Sequence, residues 1–217
     1  MRCAEDIALA VKFGADAVGF VTEVPVYSPR KLDAASACAL IEQVPLFVDS
    51  VLVIMPENGE KAVELIDTCK PDIVQLHNDL PLSDIEHIRD NVRQKIIKTL
   101  AIPVEKHNML EEMGPAIAIL EERFENDLID GVLLDSSKAG IVGGTGIVHD
   151  WSVSRQIVAR LEAPVMLAGG LDPENVCQAV EEVRPYAVDV ASGVEKNGKK
   201  DPDKVRRFIS QIRCANG

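Results

Sequence analysis

Apolar runs of two kinds alternate along this chain, and that alternation limits the fold more than any other feature. The short runs hold only a few residues, rich in Val, Ile and Leu, and read as strands buried on both faces. They fall at 17–21, 47–54, 72–76, 95–102, 131–134, 164–168 and 187–191. The longer runs repeat apolar residues at i, i+3, i+4 and i+7, the spacing of a helix with one buried face. Ala4, Ile7, Ala8 and Val11 define the first, at 4–13, which Gly14 closes. Others are predicted at 32–43, 57–69, 82–92, 115–124, 151–161, 173–183 and 201–213, with Pro115 and Pro173 placed in first turns. Strand and helix recur about every thirty residues, which is the pattern of βαβ units on a parallel sheet.

No linker or low-complexity stretch interrupts the alternation, so residues 1–217 are expected to form one domain. The positions of the loop motifs favour a (β/α)8 TIM barrel over a doubly wound sheet. The order begins with a helix, whereas such a barrel begins with a strand. The first strand is therefore missing from this sequence: either the barrel is open or incomplete, or Met1 is an internal methionine of a longer chain.

A formal net charge of −12 argues against nucleic acid or an anionic membrane as the main partner. A small anion remains compatible, because backbone N–H groups can hold a phosphate locally. Cys3, Cys38, Cys69, Cys177 and Cys214 are scattered, which fits reduced thiols in a cytoplasmic protein. The four histidines show no metal-ligand spacing.

The best candidate site lies in 131–151. Val132, Leu133 and Leu134 form a strand, and Asp135 is expected where it ends. Gly140, Gly143, Gly144 and Gly146 follow in one loop. Glycine lets backbone approach a ligand closely, and parallel α/β folds gather chemistry at the carboxyl ends of strands. Two more glycine pairs end the last strands, in Ala168-Gly169-Gly170-Leu171 and Ser192-Gly193-Val194-Glu195. Loops after strands seven and eight frequently hold phosphate in barrels. Arg30, in Ser28-Pro29-Arg30, offers a planar fork of donors suited to a carboxylate or phosphate. Gln75 and His77 alternate on one face at another strand end, although alone they also fit a core glutamine and a solvent-facing histidine. Asp189 inside a strand is expected to be paired or inward, Asn175 to brace a helix, and Lys199-Lys200-Asp201 to be a solvated turn.

Taken in order, these stretches resemble the phosphoribosylanthranilate isomerase family of tryptophan biosynthesis. The residues that carry the resemblance begin with Glu5-Asp6, Gly14 to Phe20, Ser28-Pro29-Arg30 and Gln75-Leu76-His77. They continue through Leu133 to Ser136, Gly143 to Gly146, Asp150-Trp151, Ala168 to Leu171, Asn175 and Ser192 to Glu195. The resemblance implies a (β/α)8 barrel with no cofactor and no metal. It implies an Amadori rearrangement of N-(5-phosphoribosyl)anthranilate to 1-(2-carboxyphenylamino)-1-deoxyribulose 5-phosphate. Asp135 would be the general acid that opens the ribose ring. Arg30 would hold the anthranilate carboxylate, and Gly169, Gly170, Ser192 and Gly193 would cradle the phosphate. Gln75, His77 and Gly144 would complete the substrate site. The partner would be a small phosphorylated substrate, not nucleic acid or membrane, with monomer or homodimer both open.

The family's opening strand carries a cysteine that acts as general base. Cys3 falls several positions after it and is not its equivalent. Asn78 stands where a glycine is usual, and the loop after Glu195 lacks the usual proline. An alternative expectation follows from the missing base: a non-catalytic barrel that still binds phosphosugars. A third is another phosphate-binding barrel such as indole-glycerol-phosphate synthase, with Lys98 as the strand lysine.

Overall fold

The computed structural model describes residues 1–25, 28–104, 109–138, 141–142 and 148–215. The chain folds as two compact units, Met1–Lys98 and Thr99–Gly217.

The first unit opens with α1 (Ala4–Phe13), whose Ile7 and Ala10 are buried. Gly14 ends it at φ 94°, and its N–H reaches back to the carbonyls of Ala10 and Val11. That left-handed cap is cheap only for glycine. Then come β1 (Ala17–Thr22), β2 (Lys31–Leu32), α2 (Ala34–Ile41), β3 (Asp49–Ile54), α3 (Gly59–Cys69), β4 (Ile73–Leu76), α4 (Leu82–Asn91) and the first four residues of β5 (Lys95–Pro103). The sheet order is β2-β1-β3-β4-β5, and every pairing is parallel. Phe20 lies opposite Leu52, and Leu52 opposite Val74, all fully or almost fully buried. Ile66, Ile85 and Ile88 on the helices are likewise buried.

The second unit holds α5 (Met109–Glu125), β6 (Gly131–Lys138), β7 (Ile141–Val142), α6 (Trp151–Arg160), β8 (Val165–Leu167), α7 (Val176–Val183) and β9 (Ala187–Val188). A single 3-10 turn at Ser192–Val194 leads to the hairpin of β10 (Glu195–Lys196) and β11 (Lys199–Lys200), and α8 (Pro202–Ala215) follows. β6, β8 and β9 are parallel, while β7 folds back antiparallel onto the end of β6. Leu134, Ile157, Leu167 and Val176 have no exposed surface.

Several boundaries differ from the sequence expectation, each for a local reason. α2 starts at Ala34 because Leu32 pairs with Thr22 and Asp33 caps the helix, accepting from the Ser36 N–H at 2.8 Å. β3 starts at Asp49 because Phe47 turns the chain at φ 71°, leaving its ring and Leu46 exposed. α5 starts six residues before Pro115, so that proline sits inside the helix and not in its first turn. α7 starts at Val176, because the Asp172 carboxylate accepts from the N–H groups of Glu174 and Asn175 in a preceding turn.

The expectation of scattered, reduced cysteines is also corrected. Cys38 and Cys69 are bonded to each other. They are 31 residues apart, about one strand-helix repeat, so the repeat sets them side by side on neighbouring helices α2 and α3. Among the described residues, Cys3 and Cys177 keep their thiols. No helix among them is long and apolar enough to cross a membrane.

Candidate active site

Asp135 lies further inside its strand than its sequence suggests. β6 pairs with β8 through Val132, Leu133 and Leu134. The Ala168 N–H donates to the Leu134 carbonyl at 2.7 Å. The strand then runs on to Lys138, because Ser137 and Lys138 pair with Val142 and Ile141 of β7. The Val104 N–H also donates to the Ser137 carbonyl. Asp135 therefore sits on rigid backbone just past the β8 pairing, and is only 7% exposed. Burial penalises its charged form, and the negative charge of Asp189 adds to the effect. A hydrogen bond from the Ser136 backbone N–H opposes them, and the net result is a pKa pushed up to about 7. This carboxyl still holds a proton near neutral pH.

Ser136 shares the neighbourhood with a buried histidine. Its Oγ lies 2.8 Å from His149 Nδ1, and His149 Nε2 lies 2.6 Å from Ser154 Oγ. All three residues are buried. Burial lowers the His149 pKa to about 4, against a smaller opposing influence from Asp150, so the ring is neutral. A neutral imidazole donates from one nitrogen and accepts at the other, and a hydroxyl can do either, so the chain of three is satisfied.

The turn after β8 packs against Ser136, and the turn after β9 packs against the turn after β8. Gly169 and Gly170 have φ of 85° and 68°. A Cβ on Gly169 would fall 2.2 Å from Ser136 Oγ and 2.4 Å from Ser136 N. A Cβ on Gly193 would fall 1.9 Å from the Leu171 carbonyl oxygen. Asn175 braces the first turn: its Nδ2 donates to the Gly170 carbonyl at 2.9 Å, and its Oδ1 accepts from the Asp172 N–H at 2.8 Å. Ser192 and Gly193 begin a 3-10 turn, since β9 ends at Val188 and not at 191. The Asp189 N–H still continues the ladder to the Leu167 carbonyl. Lys200 is no solvated turn residue. Its Nζ donates to the Ala191 carbonyl at 2.9 Å and pairs with Glu195 at 3.3 Å, with both side chains nearly buried.

In the first unit, Gln75 and His77 come together at the end of β4. Gln75 Nε2 lies 3.2 Å from His77 Nδ1, and Gln75 is buried. Burial, then the positive charge of Lys98, lowers the His77 pKa to about 4. Lys98 is itself buried in β5 and meets Asp79 at 3.0 Å. Arg30 is half-buried in a turn where its N–H donates to Ser28 Oγ at 3.2 Å. Gly144 and the rest of 143–146 lie outside the described residues. Among the described residues no group of three or more His, Cys, Asp or Glu is placed to hold a metal ion.

In the first unit the structure brings Gln75 and His77 together, with Arg30 in a separate turn; in the second it packs Ser136, next to Asp135, on the Gly169 turn, and that turn on Gly193. His149, Ser154 and Lys200 escaped the sequence reading. Ser154 carried a signal, since it interrupts the apolar stripe of Trp151 and Ile157 on α6, and a hydroxyl on such a stripe calls for a buried partner.

Parallel strands alternating with helices, with polar groups collected where the strands end, mark a (β/α)8-barrel enzyme. Solved structures of that class match nearly the whole chain. The phosphoribosyl anthranilate isomerase from Thermotoga maritima aligns with TM-score 0.80 at 34% identity, over 99% of this chain and 96% of that one. The N-(5'-phosphoribosyl)anthranilate isomerase from Pyrococcus furiosus aligns with TM-score 0.80 at 28% identity, over 99% and 96%. The family model for N-(5'-phosphoribosyl)anthranilate isomerase matches residues 1–211. The isomerase of that name from Methanosarcina acetivorans is 53% identical, covering 99% of this chain and 91% of that protein. The chain belongs to the N-(5'-phosphoribosyl)anthranilate isomerase family.

Proposed function

We propose that this chain catalyses the Amadori rearrangement of N-(5-phosphoribosyl)anthranilate in tryptophan biosynthesis, with Asp135 as general acid. The observation that carries the reading is a carboxyl that keeps its proton near pH 7 and lies next in sequence to Ser136, which packs on Gly169. Asp135 delivers its proton to the ribose ring oxygen as the C1–O bond breaks. The anthranilate nitrogen donates its lone pair to C1, forming an iminium that the new carboxylate stabilises. Loss of the C2 proton to a base gives the enolamine, which tautomerises to the 1-amino-2-ketone. No atom is gained or lost overall.

The other roles follow from chemistry of residue type. Gly169, Gly170, Ser192 and Gly193 present backbone where an anion can approach. Arg30 matches the planar anthranilate carboxylate. Gln75 and His77 offer neutral polar contacts to the sugar, and Gly144 keeps the substrate role that the family resemblance implies. A solved family member is described as a complex with reduced 1-(o-carboxyphenylamino)-1-deoxyribulose 5-phosphate, which supports a small phosphorylated substrate here. In this reading residues 1–217 act as one catalytic domain, in the cytoplasm, as monomer or homodimer.

The test uses the full gene product and the fluorescence of N-(5-phosphoribosyl)anthranilate. Turnover is expected, and Asp135→Asn is expected to lower kcat by roughly 10²–10⁴-fold while the reduced product analogue still binds. Binding without turnover by the unmutated protein would support a non-catalytic phosphosugar-binding barrel instead.

A further inference from the structure

The general acid stands on a strand whose end is fastened by one side chain that, among the described residues, hydrogen-bonds to none of the assigned groups. His149 lies just before the cap of α6, where Asp150 accepts from the Ser152 N–H. Its ring bridges β6 and α6: Ser136 Oγ on one side at 2.8 Å, Ser154 Oγ on the other at 2.6 Å. Ser154 has no exposed surface, nor has Ser136, so neither hydroxyl can turn to bulk water if the ring is lost.

Ser136 is the hinge of this arrangement. Its backbone N–H donates to the Asp135 carboxyl. Its N and Oγ occupy the space where Gly169 would carry a side chain. A shift of Ser136 therefore moves the proton donor's own hydrogen-bond partner and presses on a left-handed glycine of the β8 turn. Packing at such contact distances transmits displacement instead of absorbing it.

We propose that His149 is a positioning residue: clasped between Ser136 and Ser154, it fixes the spacing between the Asp135 carboxyl and the Gly169-Gly170 turn. The proposal rests on the reading of Asp135 as general acid and adds a residue to it. The chemistry needs the clasp to be uncharged, since an imidazolium would bring a buried positive charge and two obligatory donors to Ser136 and Ser154. Burial keeps the ring neutral.

His149→Phe keeps a ring of similar size and removes both hydrogen bonds. A misplacement of about 1 Å at a reacting group can cost 10²-fold, so kcat should fall roughly 10–100-fold with KM moving much less. The alkaline limb of the kcat/KM profile, which reports the proton on Asp135, should also move towards lower pH. Burial is the largest influence on that carboxyl, and a loosened strand end admits water. His149→Gln, which restores one donor and one acceptor, should recover part of the lost kcat. Ser154→Ala removes only the outer link and serves if His149→Phe does not fold. It should displace the limb in the same direction and by less.

A purely structural histidine would lower Tm and leave kcat and the limb where they were, and that result overturns the proposal. Asp135→Asn run alongside separates the two ideas. If Asp135→Asn still turns over, the assignment of the acid fails. If Asp135→Asn is dead while His149→Phe keeps the wild-type rate and limb, only the clasp fails.

Discussion

His77 after β4 and Asp135 in β6 are held by the same force with opposite chemical outcomes. In each, burial is the main cause of the shifted pKa, and in each it removes the charge. For His77, loss of charge means loss of the proton: at about 4, the ring is neutral throughout the working range. For Asp135, loss of charge means keeping the proton, to about 7. Neighbours reinforce both, Lys98 against the imidazolium and Asp189 against the carboxylate. One strand end is thus a neutral polar surface, and the other a poised donor. Desolvation by itself says nothing about acid or base; the residue type decides which way it works.

The largest expected effect comes from removing the donor, with the kcat loss for Asp135→Asn given above. A second consequence lies in stability. The unfolded pKa is near 3.8 and the folded one about 7. Between these values the folded chain holds a proton that the unfolded chain has released, so stability falls as pH rises from about 4 to about 7. Asn cannot ionise. Urea unfolding should therefore show Asp135→Asn more stable than the parent at pH 8, by about 4 kcal/mol if the whole shift is expressed, with little gain at pH 4.

Gly169→Ala should come next, because the Cβ would meet Ser136 and the residue would still need φ 85°. A loss of about 3 kcal/mol or more is expected. Gly198→Ala is its control: φ is 71° there, but nothing lies within 4 Å of the added Cβ, so only the backbone cost of about 1 kcal/mol remains. Equal losses at the two sites would mean that the contact with Ser136 is soft.

Arg30→Ala probes the binding side of the comparison. It should raise KM by roughly 10–100-fold with a smaller change in kcat, the cost of a charged hydrogen bond. A fall in kcat alone would move Arg30 from binding to chemistry. The smallest effect belongs to His77→Gln. His77 is deprotonated in the folded state between about 4 and 6.5, where the unfolded chain gains a proton, so stability rises with pH across that window. Gln should flatten that slope by about 1 kcal/mol, measured by unfolding at pH 4 and pH 7.

Periodicity made most of this fold legible. α1 was placed to the residue, and the strand cores at Phe20, Leu52, Val74 and Leu134 followed from short apolar runs, because burial is what those runs encode. Boundaries failed where a side chain, and not the pattern, decides: Asp33 capping α2, Asp172 forming a turn before α7. Phe47 misled because a large apolar residue in a sequence reads as core, and nothing in the letters shows a left-handed backbone. Among the residues proposed for the site, Asp135 and the glycine turns stood out in the sequence because they are exceptional residue types at strand ends. His149 and Lys200 were not, because their partners Ser136, Ser154, Ala191 and Glu195 meet them only in the folded chain.

Gly193 lies so close to the carbonyl of Leu171 that neither turn has slack of its own. The segments after β8 and β9 behave as a single casting. An engineer who lengthens one must recut the other in the same step, and a natural lineage would have had to change both together. The two turns are inherited as a pair of loops.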